Sequence, residues 1–133
     1  MTKKNHENNL TQTLGNFSED LAAEYLLSLG WKIIARNVKI NHGELDIIAI
    51  DTQTNPQELV IVEVRGRTIG KIQSPIDSVG SRKLNTLIKY SRELVELEIN
   101  WEGFWRIDLI GITFKNKNDL HDWELTHLKD ITA

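Results

Sequence analysis

Two acidic side chains stand where apolar, strand-forming residues surround them. Glu63 follows Leu59-Val60-Ile61-Val62, and Asp46 immediately precedes Ile47-Ile48-Ala49-Ile50. A carboxylate in an apolar strand is costly unless an arginine, a hydrogen-bond donor or a metal ion offsets it. Side chains two apart on a strand share a face, which groups Glu44 with Asp46, and Glu63 with Arg65 and Arg67. Two readings stay open at this point. Asp46 and Glu63 lie at strand ends or pair with Arg65 or Arg36 as structural ion pairs. Alternatively they form a two-carboxylate site for Mg2+, a hard ion that takes oxygen ligands and keeps several waters.

The cations are unevenly placed. Arg65, Arg67, Lys71, Arg82 and Lys83 fall within one stretch that holds a single acid, Asp77, so it carries +4 while the remainder carries −7. A solvated loop and helix face would account for that, and so would a surface for phosphates. Lys83 is the more pointed case, because a cation in the first turn of a helix opposes the helix dipole. Glu19 lies three residues before Ala22 and seven before Leu26, bordering an apolar helix face from which it can lean toward Asp46. The helix dipole alone would also favour a first-turn glutamate there. Asp108, between Ile107 and Leu109, either pairs with Arg106 or supports the site from behind.

The elements that must position these groups follow from periodicity. Leu14, Phe17, Leu21, Ala22, Tyr25, Leu26 and Leu29 recur at three and four, predicting a helix from Thr13 that stops at Gly30. Strands are expected over Trp31 to Val38, Glu44 to Asp51 and Glu58 to Arg65, joined by short polar turns as an antiparallel meander. An irregular connection over Thr68 to Gly80 leads to a second helix from Ser81 to about Leu97. A fourth strand, Phe104 to Phe114, then runs parallel to the third through that crossover, and Trp123 to Leu128 adds an edge strand. The expected fold is therefore α/β, an αβββαβ core with a mixed sheet flanked by helices and an extra C-terminal strand.

Composition bounds the rest. The 133 residues suit one domain, expected over 13–130, after a polar tail at 1–12. No cysteine is present, which removes disulfides, zinc fingers and thiol catalysis. A net charge of −3 argues against an indiscriminate nucleic-acid binder. No apolar run suggests a signal peptide or a membrane span, so a cytoplasmic location and no membrane partner are expected. The four histidines show no ligand spacing, and the four tryptophans read as core or edge packing. Neither a phosphate-cradling glycine loop nor a serine nucleophile elbow occurs.

Several segments together resemble a known family. Gly15-Asn16-Phe17-Ser18-Glu19 with Ala22 and Tyr25-Leu26, then Gly30, Arg36-Asn37, Gly43-Glu44-Leu45-Asp46-Ile47-Ile48-Ala49, Val62-Glu63-Val64-Arg65-Gly66-Arg67, Lys83 to Tyr90 and Arg106-Ile107-Asp108 look like the YraN-like uncharacterised proteins. That family is similar to the PD-(D/E)XK nucleases, especially archaeal Holliday-junction resolvases. The resemblance implies a restriction-endonuclease-like fold and a Mg2+- or Mn2+-dependent phosphodiesterase acting on DNA or RNA.

Carried over by residue, Asp46 and Glu63 take the metal-binding acidic positions, Glu19 the acid of the first helix, and Arg65 the place of the superfamily's lysine. Leu45 replaces the motif's proline, which mainly shapes the strand. Arginine for lysine matters more, because Arg65 stays charged and cannot take a proton from water, although it can stabilise charge on a phosphate. Arg67, Lys71, Arg82 and Lys83 would hold backbone phosphates, and a homodimer would suit a two-strand cut. The alternatives are a nucleic-acid-binding module that keeps the fold without turnover, and a structural domain whose charges are salt bridges.

Overall fold

The computed structural model describes residues 3–41, 43–69, 79–116 and 118–132, with the backbone alone for residues 3–12. Helix α1 spans Lys3–Ser28, followed by β1 (Lys32–Ile40), β2 (Gly43–Asp51) and β3 (Glu58–Thr68). Helix α2 (Ser81–Glu93) passes into a wider π turn, Leu94–Ile99, and β4 (Trp105–Asn116) and β5 (Asp119–Leu128) complete the chain. Lys71 and His42 lie outside the described residues.

Among the described residues the strands form one sheet in the order β1-β2-β3-β4-β5. The β1-β2, β2-β3 and β4-β5 pairs are antiparallel, and β3-β4 is parallel. The meander, the crossover through α2 and the added edge strand all match the expected α/β topology. Among the described residues no helix is long and apolar enough to cross a membrane.

Each face of the sheet buries its own core. Ala22, Ala23 and Leu26 of α1 pack with Ile47, Ala49, Val60, Val62, Ile110, Ile112 and Phe114. On the other face Leu87 of α2 and Leu94 and Val95 of the π turn pack with Leu45, Ile48, Leu59, Ile61 and Ile107. The sheet is thus sandwiched between the helices, and β3 is apolar on both faces because both are covered. The tryptophans belong to these cores, Trp31 to the α1 side and Trp101 and Trp105 to the α2 side.

The boundaries differ from expectation in three places. The helical backbone begins at Lys3 rather than after Thr13; polar composition alone does not stop a helix, and no Gly or Pro occurs before Gly15. The second helix loosens into π geometry at Leu94 and closes at Asn100, which takes the left-handed conformation. The last strand starts at Asp119, because the β4-β5 hairpin pairs almost from its turn.

Strand β1 is irregular in a way that matters for the site. A register shift at Ile33/Ala35 moves the inward-facing residues from the α1 side, where Ile33 packs, to the α2 side, where Ala35 packs. Asn37 then has φ 53°, in the left-handed region that asparagine tolerates better than most residues. Three residues after Ala35, Val38 therefore still faces the α2 side, and its partner Leu45 faces the same way. Between the pairs Arg36–Ile47 and Val38–Leu45, Asn37 falls opposite Asp46.

Candidate active site

The site lies where β2 and β3 part. Their pairing ends at Ile47 and Val62, and one further step of the same register sets Asp46 opposite Glu63. Cross-strand neighbours bring their side chains within reach on one face, and here the charge of Asp46 acts on the Glu63 carboxyl. The Asp46 carboxylate also accepts the Val64 backbone N–H at 2.8 Å. Asp46 is felt from both helices, through Glu19 of α1 and Lys83 of α2.

Glu63 is buried, and its pKa is pushed up to about 7, first by desolvation and then by the charge of Asp46. Arg65 and Lys83 oppose that rise, and Arg65 Nη2 stands 3.4 Å from Glu63 Oε1. Asp46 is raised for the same first reason, burial, with Glu44 adding to it and the Val64 hydrogen bond, Arg65 and Lys83 acting against it. Lys83, exposed on the first turn of α2, thus acts on both carboxyls although it opposes its own helix dipole.

Glu19 approaches from α1. It is buried, and its pKa is raised by desolvation and then by Asp46, while Arg36 acts in the opposite direction. Arg36 Nε lies 3.6 Å from Glu19 Oε1, an ion-pair separation too long for a hydrogen bond, and that oxygen has no hydrogen-bond partner. The Nε of Arg65 is likewise buried and unpaired. Two buried polar atoms without partners at one site mark groups that a bound species would satisfy.

Two glycines let the helices approach. A Cβ at Gly66 would overlap the Ser18 hydroxyl, so α1 lies directly on β3 one residue after Arg65. A Cβ at Gly43 would overlap the Tyr90 ring, which packs across the start of β2. A cavity of about 150 Å3 opens between β2 and α2, lined by Gly43, Glu44, Lys83, Thr86 and Tyr90 among others.

The structure brings together Glu19, Asp46, Glu63, Arg65 and Lys83. Arg67 and Arg82 have no acidic partner among the described residues and do not join the carboxyls. Asp108 takes the pairing alternative. Its oxygens accept Arg106 Nε at 2.9 Å, lie 2.8 Å from His127 Nε2 and accept the Asp130 N–H at 2.9 Å. Arg106 also bonds to Asp51 at 2.8 Å and to Glu58, and stacks over Trp31. Sequence reasoning considered Arg36 only as a partner for the strand acids. It missed Tyr90 and the turn at Asn37; an asparagine inside a strand-forming run, poor in β propensity, is the signal that marks the last.

Asp46 and Glu63 offer oxygen donors from neighbouring positions of β2 and β3. Among the described residues no group of three or more His, Asp or Glu side chains is arranged as a metal cage. Two carboxylates with water completing the shell is the pattern that suits Mg2+ or Mn2+ rather than zinc, and the residues present fit it.

Known proteins agree with this chain over most of its length. Residues 18–112 match Uncharacterised protein family UPF0102. A UPF0102 protein of Mycobacterium bovis (strain BCG / Pasteur 1173P2) is 39% identical over 119 residues, covering 89% of this chain and 91% of that protein. One from Marinobacter nauticus is 39% identical over 103 residues, covering 77% and 80%. One from Chlorobium chlorochromatii is 33% identical over 124 residues, covering 92% of each. Among solved structures, that of Pyrococcus furiosus SfsA in complex with Ca2+ is similar at a TM-score of 0.32 and 14% identity, over 90% of this chain and 63% of that one.

Proposed function

The chain belongs to Uncharacterised protein family UPF0102, and from the geometry of its acidic site we propose that it is a divalent-cation-dependent nuclease hydrolysing phosphodiester bonds in DNA or RNA. The observation that carries this reading is the placing of Asp46 opposite Glu63, both carboxyls with raised pKa, beside Arg65 and Lys83. Two buried like-charged groups held together oppose folding, and such pairs concentrate where chemistry or cation binding uses them.

Asp46 and Glu63 would hold the cation, Mg2+ or Mn2+. When bound, it neutralises the paired carboxylates and supplies Lewis-acid charge to the phosphodiester. The chain's own groups divide the remaining work. Arg65, anchored against Glu63 and permanently charged, is placed to stabilise the negative charge that grows on the phosphoryl oxygens. Lys83, with Arg67, Arg82 and Lys71, would position the phosphate backbone.

A second reading has one observation in its favour. Arg65 leans on Glu63 at 3.4 Å, a contact that also suits a fold kept for binding nucleic acid without turnover. The test is incubation of the purified protein with branched, single-stranded and duplex DNA and with structured RNA, in Mg2+, Mn2+ or EDTA. Cation-dependent cleavage that disappears in Asp46→Asn and Glu63→Gln supports the nuclease. Salt-sensitive binding without cleavage moves the conclusion to the binding module, and neither result leaves the acids as structural charges.

A further inference from the structure

The cavity between β2 and α2 adjoins the acidic site, yet the cleavage chemistry just described does not use it. Leu45 of β2 and Leu87 of α2, both buried, give it apolar lining, and Glu44, Lys83, Thr86 and Tyr90 supply the rest of its wall. Its volume of about 150 Å3 is below the roughly 300–1,000 Å3 of pockets that enclose a whole drug-sized molecule, and suits a single flat ring system. The Tyr90 ring is held against the start of β2, since Gly43 lies too close to it for even one added methyl. The two charges of the wall are uncommitted. Among the described residues neither Glu44 nor Lys83 forms an ion pair, and both are exposed. Both nevertheless act on Asp46, in opposite directions, so the cavity opens beside the carboxyls.

We propose that this cavity receives one unpaired nucleobase of the bound strand, stacked against Tyr90 and read at its edge by Glu44, so that the substrate is a nucleic acid with an extruded or single-stranded nucleotide at the acidic site. This rests on the nucleic-acid reading proposed above. The chemistry of the wall selects the ligand. Leucine side chains and a tyrosine ring suit the two faces of a base, and stacking on an aromatic ring holds any of the bases. A carboxylate accepts hydrogen bonds and donates none, so Glu44 matches the exocyclic amino groups of adenine, cytosine and guanine and not the carbonyl oxygens of thymine. Lys83 lines the cavity and also acts on Asp46 and Glu63, which places it for the phosphate of the same nucleotide. A free phosphate would meet Glu44 as a like charge and leave the tyrosine ring unused. A paired base keeps its faces against its neighbours in the duplex and has to leave the stack to enter a pocket.

The experiment compares labelled DNA and RNA duplexes with one unpaired position, occupied by cytosine, by thymine (uracil in RNA) or by an abasic sugar-phosphate. Binding to the whole protein is read by fluorescence anisotropy in Ca2+ and in EDTA, and cleavage by gel in Mn2+. Wild type should bind the cytosine form about 5- to 150-fold more tightly than the abasic form, with thymine between them. Tyr90→Leu should bring the cytosine-to-abasic ratio close to one while affinity for the abasic form stays as in wild type. Thr86→Phe, which fills the cavity from an exposed position of α2, should do the same and keeps the test valid if Tyr90→Leu does not fold. Glu44→Gln should retain the stacking but bring cytosine and thymine together. Equal wild-type affinity for the cytosine and abasic forms overturns the base pocket and leaves the nuclease reading standing, as does discrimination that survives Thr86→Phe. Discrimination without cleavage supports the pocket and removes turnover. Absence of binding to every form overturns both.

Discussion

Asp46 accepts the Val64 N–H at 2.8 Å at the point where β2 and β3 cease to pair. The side chain takes over from the backbone there, fastening the two strands while their carbonyls and amides diverge. The acid that would hold the cation is thus also a structural clasp.

That double role makes the choice of substitution decisive. Asp46→Ala should lose about 1–3 kcal/mol of stability, because the Val64 N–H is left without its charged acceptor. Asp46→Asn keeps an acceptor oxygen and should lose less, while abolishing cation binding equally. Urea denaturation in EDTA, paired with Mn2+ titration, checks both; equal stability losses would show that the clasp contributes nothing.

The raised pKa of Glu63 gives a pH dependence of unusual sign for a carboxylate. Below about pH 4.5 the group is protonated in both folded and unfolded chains. Between about 4.5 and about 7 only the folded form holds the proton, so stability should fall as pH rises through that window. The loss is on the order of 3 kcal/mol at pH 8 without cation. Glu63→Gln should flatten the profile and exceed wild type at pH 8 in EDTA. Denaturation midpoints that stay level from pH 5 to 8 in the wild type would count against the buried pair.

Arg65 should separate turnover from binding. Arg65→Ala is expected to reduce cleavage by about 100-fold or more and to leave Mn2+ affinity within a few fold, since arginine offers no ligand. Arg65→Lys should keep most of the rate, because a positive charge remains beside Glu63. Equal rates for the wild type and Arg65→Ala would remove the guanidinium from the mechanism.

Two Gly→Ala changes should act in opposite directions. At Gly66 the new methyl meets Ser18 of α1, and about 1–3 kcal/mol should be lost as helix and strand are pushed apart. At Gly15, within α1, nothing lies within 4 Å, and alanine should add about 0.5–1 kcal/mol through helix propensity. Thermal unfolding of both variants checks the two directions; an unchanged midpoint for Gly66→Ala would remove the Ser18 contact from the packing of α1 on β3.

Arg106→Met should cost about 3–5 kcal/mol, because Asp51, Glu58 and Asp108 lose their shared cation inside the protein. Asp108 shows the usual carboxylate behaviour: despite burial, its hydrogen bonds from His127 and Arg106 hold its pKa below the ordinary value. Its contribution is present above its unfolded pKa and fades as pH falls through the folded one. Mn2+ affinity per folded molecule should be unchanged in the variant, since this cluster makes no contact with Asp46 or Glu63.

The parts of the fold read from sequence were those set by local pattern. The Val- and Ile-rich runs gave β2 and β3, and short turns gave the antiparallel meander. The interruption of those runs by Asp46 and Glu63 gave the carboxyl pair, since adjacent strands must bring cross-strand neighbours together. The pairing of Asp108 with Arg106 was legible, but Asp51 and Glu58 as further partners were not, because they come from two other strands and meet Arg106 only once the sheet has formed. The π turn at Leu94 follows tertiary packing rather than a sequence signal. Asn37 was within reach, but its effect, turning Val38 and Leu45 to the α2 side, depends on which helix covers which face.

The outer edge of β1 bears on how copies of the chain can meet. An exposed edge invites a foreign strand only if its amides and carbonyls come at even intervals. Over Lys32–Ile40 that rhythm is broken twice, at Ile33/Ala35 and at Asn37, and the exposed Lys32 and Lys39 add mutual repulsion between like edges. The bends that aim residues into the site thereby also guard the border against sheet-to-sheet growth.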